Sequence, residues 1–343
     1  MFKNSAKILF FIILVSGTLI TISSSSWLSA WMGLEINLLA FIPLVNTKNN
    51  LMSSEASLKY FLIQALASAV LLVAIIIYMI KFNFMNQFLM LNSYINMTMI
   101  SALALKLGVA PFHFWFPMVL EGLSWMNALL LMTWQKIAPF MMMMYLNFSN
   151  MFYLLIIFST VLGAWSGLNQ TSLYKIMAFS SINHLGWMMS AMLLSESNWL
   201  LYFLLYSFLS FTIIFFFNIF KLSHINQLFT FPMNHKELKI LMFLNFLSLG
   251  GLPPFLGFLP KWLVLQGMVF NSQLLVIFIM VMTSLITLFF YLRMCYFSFM
   301  LLHNCPKWMQ FSSFNKFNMN VYMFFSFISV SGLLFINALF LYL

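Results

Sequence analysis

Gly108-Val109-Ala110-Pro111-Phe112-His113-Phe114-Trp115-Phe116-Pro117 and Gly251-Leu252-Pro253-Pro254-Phe255-Leu256-Gly257-Phe258-Leu259-Pro260 share one punctuation, Gly-x-x-Pro-Phe-x-x-x-x-Pro, and each interrupts a long apolar run. Proline lacks the N–H a helix interior needs, and glycine accepts the backbone conformation that ends a helix. Each run therefore reads as two half-helices around a break. Irregular backbone at membrane depth is tolerated only where protein or water covers it, so paired broken segments in two halves of a membrane protein point to an ion or substrate site. A lysine lies beside each break, Lys106 before the first and Lys261 after the second, in a chain with only 6% charged residues. The pattern points to ion movement.

Composition sets the frame. With 64% hydrophobic residues and a mean hydropathy of +1.01, the chain has too little polar surface to cover a soluble globule. Its apolar runs repeatedly exceed the roughly 18 residues that mark a membrane span. The 15 basic residues face five glutamates. No basic patch interleaved with aromatics lies on a polar surface, which argues against nucleic acid as a partner. Cys295 and Cys305 are the only cysteines, too few for an iron–sulfur cluster or a structural zinc site, and they read as inert thiols. The 43 Phe and 30 Met, with lysine far outnumbering the single Arg293, match A/T-rich codons and a code in which an isoleucine codon reads as Met, a mitochondrial habit. Met1-Phe2-Lys3-Asn4 runs straight into the first apolar segment with no Arg/Ser-rich transit peptide, so an organelle-encoded inner-membrane protein is expected.

Windows of about 19 residues predict eleven transmembrane segments: 6–22, 27–45, 57–80, 94–120, 124–146, 150–168, 173–194, 199–221, 239–269, 273–300 and 320–343. The fold class is all-α, polytopic. The fourth and ninth segments are longer than a bilayer requires and carry the two breaks. Placing the N-terminus on one side gathers Lys3, Lys7, Lys48, Lys59, Lys175, Lys221, Lys236, Lys239, Lys307 and Lys316 there, with Arg293 near the same side, against Lys81 alone opposite. By the positive-inside rule the N-terminus faces the matrix and the C-terminus the intermembrane space. The breaks fall in the fourth member of two five-helix blocks, 1–148 and 149–303. Five is odd, so the blocks are expected to form an inverted repeat, with 304–343 a loop and a last helix. The polar stretch 222–238 reads as a matrix loop.

Lys106, Lys136 and Lys261 lie inside apolar segments, where a lysine on an isolated helix costs about 2.5–3.5 kcal/mol. Lys106 and Lys136 are too deep to snorkel to an interface; for Lys261 that depends on how the broken helix is laid out. Glu35, in the second segment, is their natural counter-ion. Burial disfavours a charged lysine and a nearby carboxylate favours it, so the pair reads as a proton gate or as a static ion pair. A hydrated polar axis through Glu35, Lys106, Lys136 and the Lys261 region is expected. His113, within the first break, and His184, among Ser180, Ser181 and Asn183, are candidates for a proton relay or for packing. Glu121, Lys175 and Glu196 read as groups at helix ends, and Trp27 and Trp199 as interfacial anchors. There is no dinucleotide fingerprint, Walker loop or haem-ligand pair.

Trp31-Met32-Gly33-Leu34-Glu35-Ile36-Asn37, Lys106-Leu107-Gly108-Val109-Ala110-Pro111-Phe112-His113, Trp134-Gln135-Lys136-Ile137-Ala138-Pro139, and Gly250-Gly251-Leu252-Pro253-Pro254-Phe255 leading to Pro260-Lys261-Trp262 resemble the antiporter-like subunit 2 family of mitochondrial NADH:ubiquinone oxidoreductase, respiratory complex I. The resemblance covers both halves of the chain. It implies two inverted five-helix units, proton translocation coupled to NADH:ubiquinone oxidoreduction, and a counter-ion glutamate at Glu35 with functional lysines at Lys106, Lys136 and Lys261. It implies no cofactor in this chain: NADH, FMN, the iron–sulfur clusters and ubiquinone belong to the whole complex. The implied partners are neighbouring antiporter-like and small membrane-arm subunits, and phospholipid. A free-standing cation/proton antiporter and a structural membrane scaffold are the alternatives.

Overall fold

A computed structural model describes residues 5–46, 50–83, 89–146, 150–229, 236–300 and 316–342. Lys3, Lys48, His235, Cys305 and Lys307 lie outside the described residues. The described chain is helical, with one isolated β-bridge between Ser172 and His224. In lipid every backbone polar group must be bonded internally, which a helix does within its own segment.

Two compact units divide the chain, 1–159 and 160–343. The first holds α1 (Ser5–Ser23), α2 (Trp27–Val45), α3 (Leu51–Asn83), α4 (Leu89–Leu107), α5 (Trp115–Glu121), α6 (Trp125–Met132), α7 (Trp134–Met144) and the start of α8 (Asn150–Gly167). The second holds the rest of α8, then α9 (Leu173–Leu194), α10 (Glu196–Phe220), α11 (Ile225–Phe229), α12 (Lys236–Gly250), α13 (Phe258–Phe270), α14 (Leu274–Met300) and α15 (Lys316–Tyr342). Seven of these helices are individually long and apolar enough to cross a membrane: α1, α2, α3, α8, α10, α14 and α15. The protein is a multi-pass membrane protein. Seven of the eleven predicted segments hold one of these helices, the seventh segment holds α9, and the fourth, fifth and ninth each hold two helices.

The two motif breaks share four backbone hydrogen bonds. Gly108 (φ +74°) and Gly251 (φ +79°) both take the left-handed conformation just past a helix end. Gly108 N–H donates to Leu105 C=O (3.2 Å) and Val109 N–H to Ala104 C=O (3.0 Å); Gly251 donates to Ser248 (3.0 Å) and Leu252 to Leu247 (3.3 Å). Both pairs are Schellman caps. Phe112 then donates to Val109 and Phe116 to His113, as Phe255 does to Leu252 and Leu259 to Leu256. Recurring residues at recurring spacing thus produce the same cap and the same turns twice.

The fifth segment is interrupted as well, which the sequence reading did not anticipate. Thr133 (φ −115°, ψ −73°) separates α6 from α7, and both its N–H (3.0 Å) and its hydroxyl (2.8 Å) donate to Leu129 C=O. A back-bonding threonine bends a helix, and Pro139 has no N–H for the carbonyl four residues earlier. Within 222–238, expected as a loop, α11 is helical, and Leu173 and Ile225 tie the segment to the start of α9 through Ser223 and Thr171 carbonyls at 2.9 and 3.0 Å. In the first unit, α1 and α2 cross with backbones in contact: a Cβ on Gly33 would lie 2.9 Å from Gly17 C=O and 2.6 Å from Thr21. In the second unit α9 is buried almost all round and packs against α10, α13 and α14.

Candidate functional site

All three deep lysines are inside protein and not in lipid: Lys106 is 8%, Lys136 2% and Lys261 6% exposed. Lys106 sits in the last turn of α4, where the helix dipole favours a cation. Lys136 sits in the first turn of α7, directly after the Thr133 interruption.

In the first unit Lys106 and Lys136 line one cavity, together with Asn37, Tyr60, Gln64, Trp115 and Gln135 among others. Its volume is about 20 Å³, enough for a water molecule, which needs roughly 10–15 Å³ and polar partners. The polar wall is held in place. Gln64 donates to Lys106 C=O (3.1 Å) and Trp115 Nε1 to Leu105 C=O (3.1 Å), both carbonyls near the end of α4. Gln135 donates its amide to Asn37 Oδ1 (3.0 Å), and Tyr60 OH approaches Gln135 Oε1 at 3.5 Å. Lys136 Nζ lies 5.3 Å from the centroid of Phe116, in the first turn of α5, so the ring's negative face supports the ammonium.

Glu35 is only half-buried and does not line the cavity. No nitrogen–oxygen contact within 4.0 Å joins it to Lys106; the ion pair seen among the described residues is Lys59–Glu55, exposed on α3. Glu35 is thus a charge at a distance, not the direct counter-ion expected from its apolar neighbours. His113 is buried beside Phe114, ring centroids 4.4 Å apart, and it too does not line the cavity.

In the second unit Lys261, in the first turn of α13, donates to Gly250 C=O at 2.8 Å. That carbonyl ends α12, so the ammonium occupies the negative end of a half-helix. Lys261 Nζ also lies 5.5 Å from the centroid of Trp187 on α9. One turn earlier on α9, His184 Nδ1 is 3.0 Å from Tyr202 OH, with the Tyr206 ring 5.1 Å away. Trp199, expected at an interface, is instead fully buried and stacked on Phe203. Lys239, assigned to a loop side by the charge count, is also buried.

Several residues of these sites escaped the sequence reading: Tyr60, Gln64, Tyr202, Tyr206 and Trp187. A lone glutamine in the apolar run of α3 was the one available signal; aromatic residues are too common in this chain to stand out. Among the described residues no three His, Cys, Asp or Glu side chains form a metal-holding group.

The family described as NADH:quinone oxidoreductase/Mrp antiporter, TM, matches residues 24–287. NADH-ubiquinone oxidoreductase chain 2 of Aedes aegypti is 58% identical over 342 residues, covering 99% of this chain and 100% of its own length. That of Anopheles gambiae is 54% identical over 340 residues, with 99% of each chain covered. A chain of respiratory complex I from Thermus thermophilus, solved with bound aureothin, superposes with a TM-score of 0.83 at 22% identity, over 95% of this chain and 77% of that one.

Proposed function

This chain belongs to the NADH:quinone oxidoreductase/Mrp antiporter family, and on that premise we propose that it is the chain 2 subunit in the membrane arm of respiratory complex I, moving protons across the inner mitochondrial membrane as the assembly oxidises NADH. The near full-length match to the mosquito chains supports a subunit of that enzyme over a free-standing antiporter. NADH, flavin, iron–sulfur and ubiquinone chemistry is assigned to other subunits, and the neighbours are other membrane-arm subunits and lipid.

One observation carries the proton reading: two lysines share a water-sized cavity inside an apolar bundle. Lys106 gives a proton to water in that cavity and Lys136 takes one up. Gln64, Gln135, Asn37 and Tyr60 orient the water, and Phe116 stabilises the charged form of Lys136. Glu35 is assigned as the carboxylate that acts on Lys106, so a change in their separation gates release. Lys261, held on the Gly250 carbonyl, and His184, with Tyr202, are the carriers assigned in the second unit. The N-terminus is assigned to the matrix and the C-terminus to the intermembrane space, and the two five-helix blocks, 1–148 and 149–303, to an inverted repeat; the matching caps of their breaks support the repetition.

The test measures protons translocated per NADH oxidised in membranes carrying Lys136→Met or Glu35→Gln, alongside the amount of assembled complex. Both variants are expected to lower the ratio more than assembly. An unchanged ratio in both, with full assembly, returns the scaffold reading.

A further inference from the structure

A helix in two halves has no hydrogen-bond ladder across its break, so the gap between the halves is set by what packs on it. At the first break Gln64 of α3 supplies such a hold on Lys106 C=O. At the second the holds come from α15. Asn245, on α12 shortly before the break, donates its amide to Tyr322 OH (3.1 Å), and Ser329 Oγ donates to Asn245 Oδ1. Ser329 Oγ also lies 2.8 Å from Ser326 C=O, so its single proton can serve either acceptor. Inside the break, Leu256 N–H donates to Ser329 C=O (3.3 Å). Gly332 leaves room for the Leu256 side chain, whose Cδ1 would lie 2.1 Å from a Cβ there. Asn245, Tyr322 and Ser329 are all fully buried in an apolar setting, where unpaired polar groups are costly.

These contacts converge on one dimension. Asn245 fixes the last turns of α12, which end in the Gly250 carbonyl; Leu256 fixes the loop that leads into α13 and Lys261. The distance from Gly250 C=O to Lys261 Nζ, 2.8 Å here, follows from both. We propose that α15 is the positioning element of the second break: Ser329 and Tyr322, acting through Asn245 and Leu256, set the gap across which Lys261 grips the Gly250 carbonyl, so a shift of α15 switches the lysine between a held and a released ammonium. The inference rests on Lys261 carrying protons.

Four variants in the assembled complex test it: Tyr322→Phe, Ser329→Val, Ser329→Thr and Lys261→Met. Each is read by protons per NADH, the pH profile of that ratio, and the amount of complex. Tyr322→Phe and Ser329→Val are expected to lower the ratio and move the profile by about half a pH unit, near threefold in proton affinity. Ser329→Thr keeps the hydroxyl on a side chain shaped like valine and should restore both. A wild-type ratio and profile in Tyr322→Phe and Ser329→Val overturns the role of α15, as does a threonine defect equal to that of valine. Should Ser329→Val fail to assemble, Tyr322→Phe decides alone, since it removes one oxygen and no bulk. Loss of pumping in Lys261→Met alone leaves the lysine reading standing and rejects α15, whereas normal pumping in Lys261→Met rejects the lysine reading and the inference with it.

Discussion

Adjacent glycines at the second break should respond in opposite ways to the same added methyl. Gly251 has φ +79°, a conformation that costs an L-residue roughly 1–2 kcal/mol. Its new Cβ would also stand 2.8 Å from Lys261 Cδ and 3.1 Å from Nζ, closer than atoms pack, so the lysine must leave the Gly250 carbonyl. A hydrogen bond from a charged donor is worth about 1.5–3 kcal/mol, and losing it weakens the hold on the ammonium roughly 10- to 150-fold. Gly250→Ala meets Tyr291 Cδ2 at 3.5 Å and Leu288 at 3.8 Å, ordinary contacts, and alanine in place of glycine in a helix gains roughly 0.5–1 kcal/mol. The assay is proton uptake per NADH in membranes carrying each variant, with assembled complex quantified in parallel. Gly251→Ala should lower both, and Gly250→Ala neither. Full pumping and assembly in Gly251→Ala, or equal losses in the two variants, would refute the view that the break exists to hold Lys261 on a helix end.

Removing the Tyr202 hydroxyl, in Tyr202→Phe, takes away the partner 3.0 Å from His184 and should lower proton uptake per NADH while assembly holds; an unchanged ratio makes His184 a packing residue. Gly33→Ala drives a methyl into Thr21 and the Gly17 carbonyl, an overpacking of about 1–3 kcal/mol, and should reduce the amount of assembled complex on a native gel. Lys59→Met breaks the exposed Lys59–Glu55 pair, worth no more than about 1 kcal/mol, and should leave both pumping and assembly at wild-type levels. Accessibility to a membrane-impermeant label should place N- and C-terminal tags on opposite faces of the membrane; labelling from one face would remove the predicted topology.

The sequence by itself determined the membrane class, the helical segments and both motif breaks, because each follows from local chemistry. Apolar length decides a span, and Gly-x-x-Pro at the end of a helix demands a left-handed glycine and denies a hydrogen bond. It also singled out Lys106, Lys136 and Lys261, since a charge among apolar residues is visible without coordinates. What it could not decide was which polar group meets which. Glu35 read as a direct counter-ion because its neighbours are apolar, yet only packing shows it half-buried, outside the cavity and beyond contact distance of Lys106. Lys136 meets Asn37 of α2, Gln64 and Tyr60 of α3 and Lys106 of α4 around one cavity because three helices distant in sequence close on it. The Thr133 interruption depended on a hydroxyl choosing its own helix carbonyl. The Lys261 partner is a backbone carbonyl, a group every residue carries, and only the half-helix end that leaves Gly250 unbonded makes it a site.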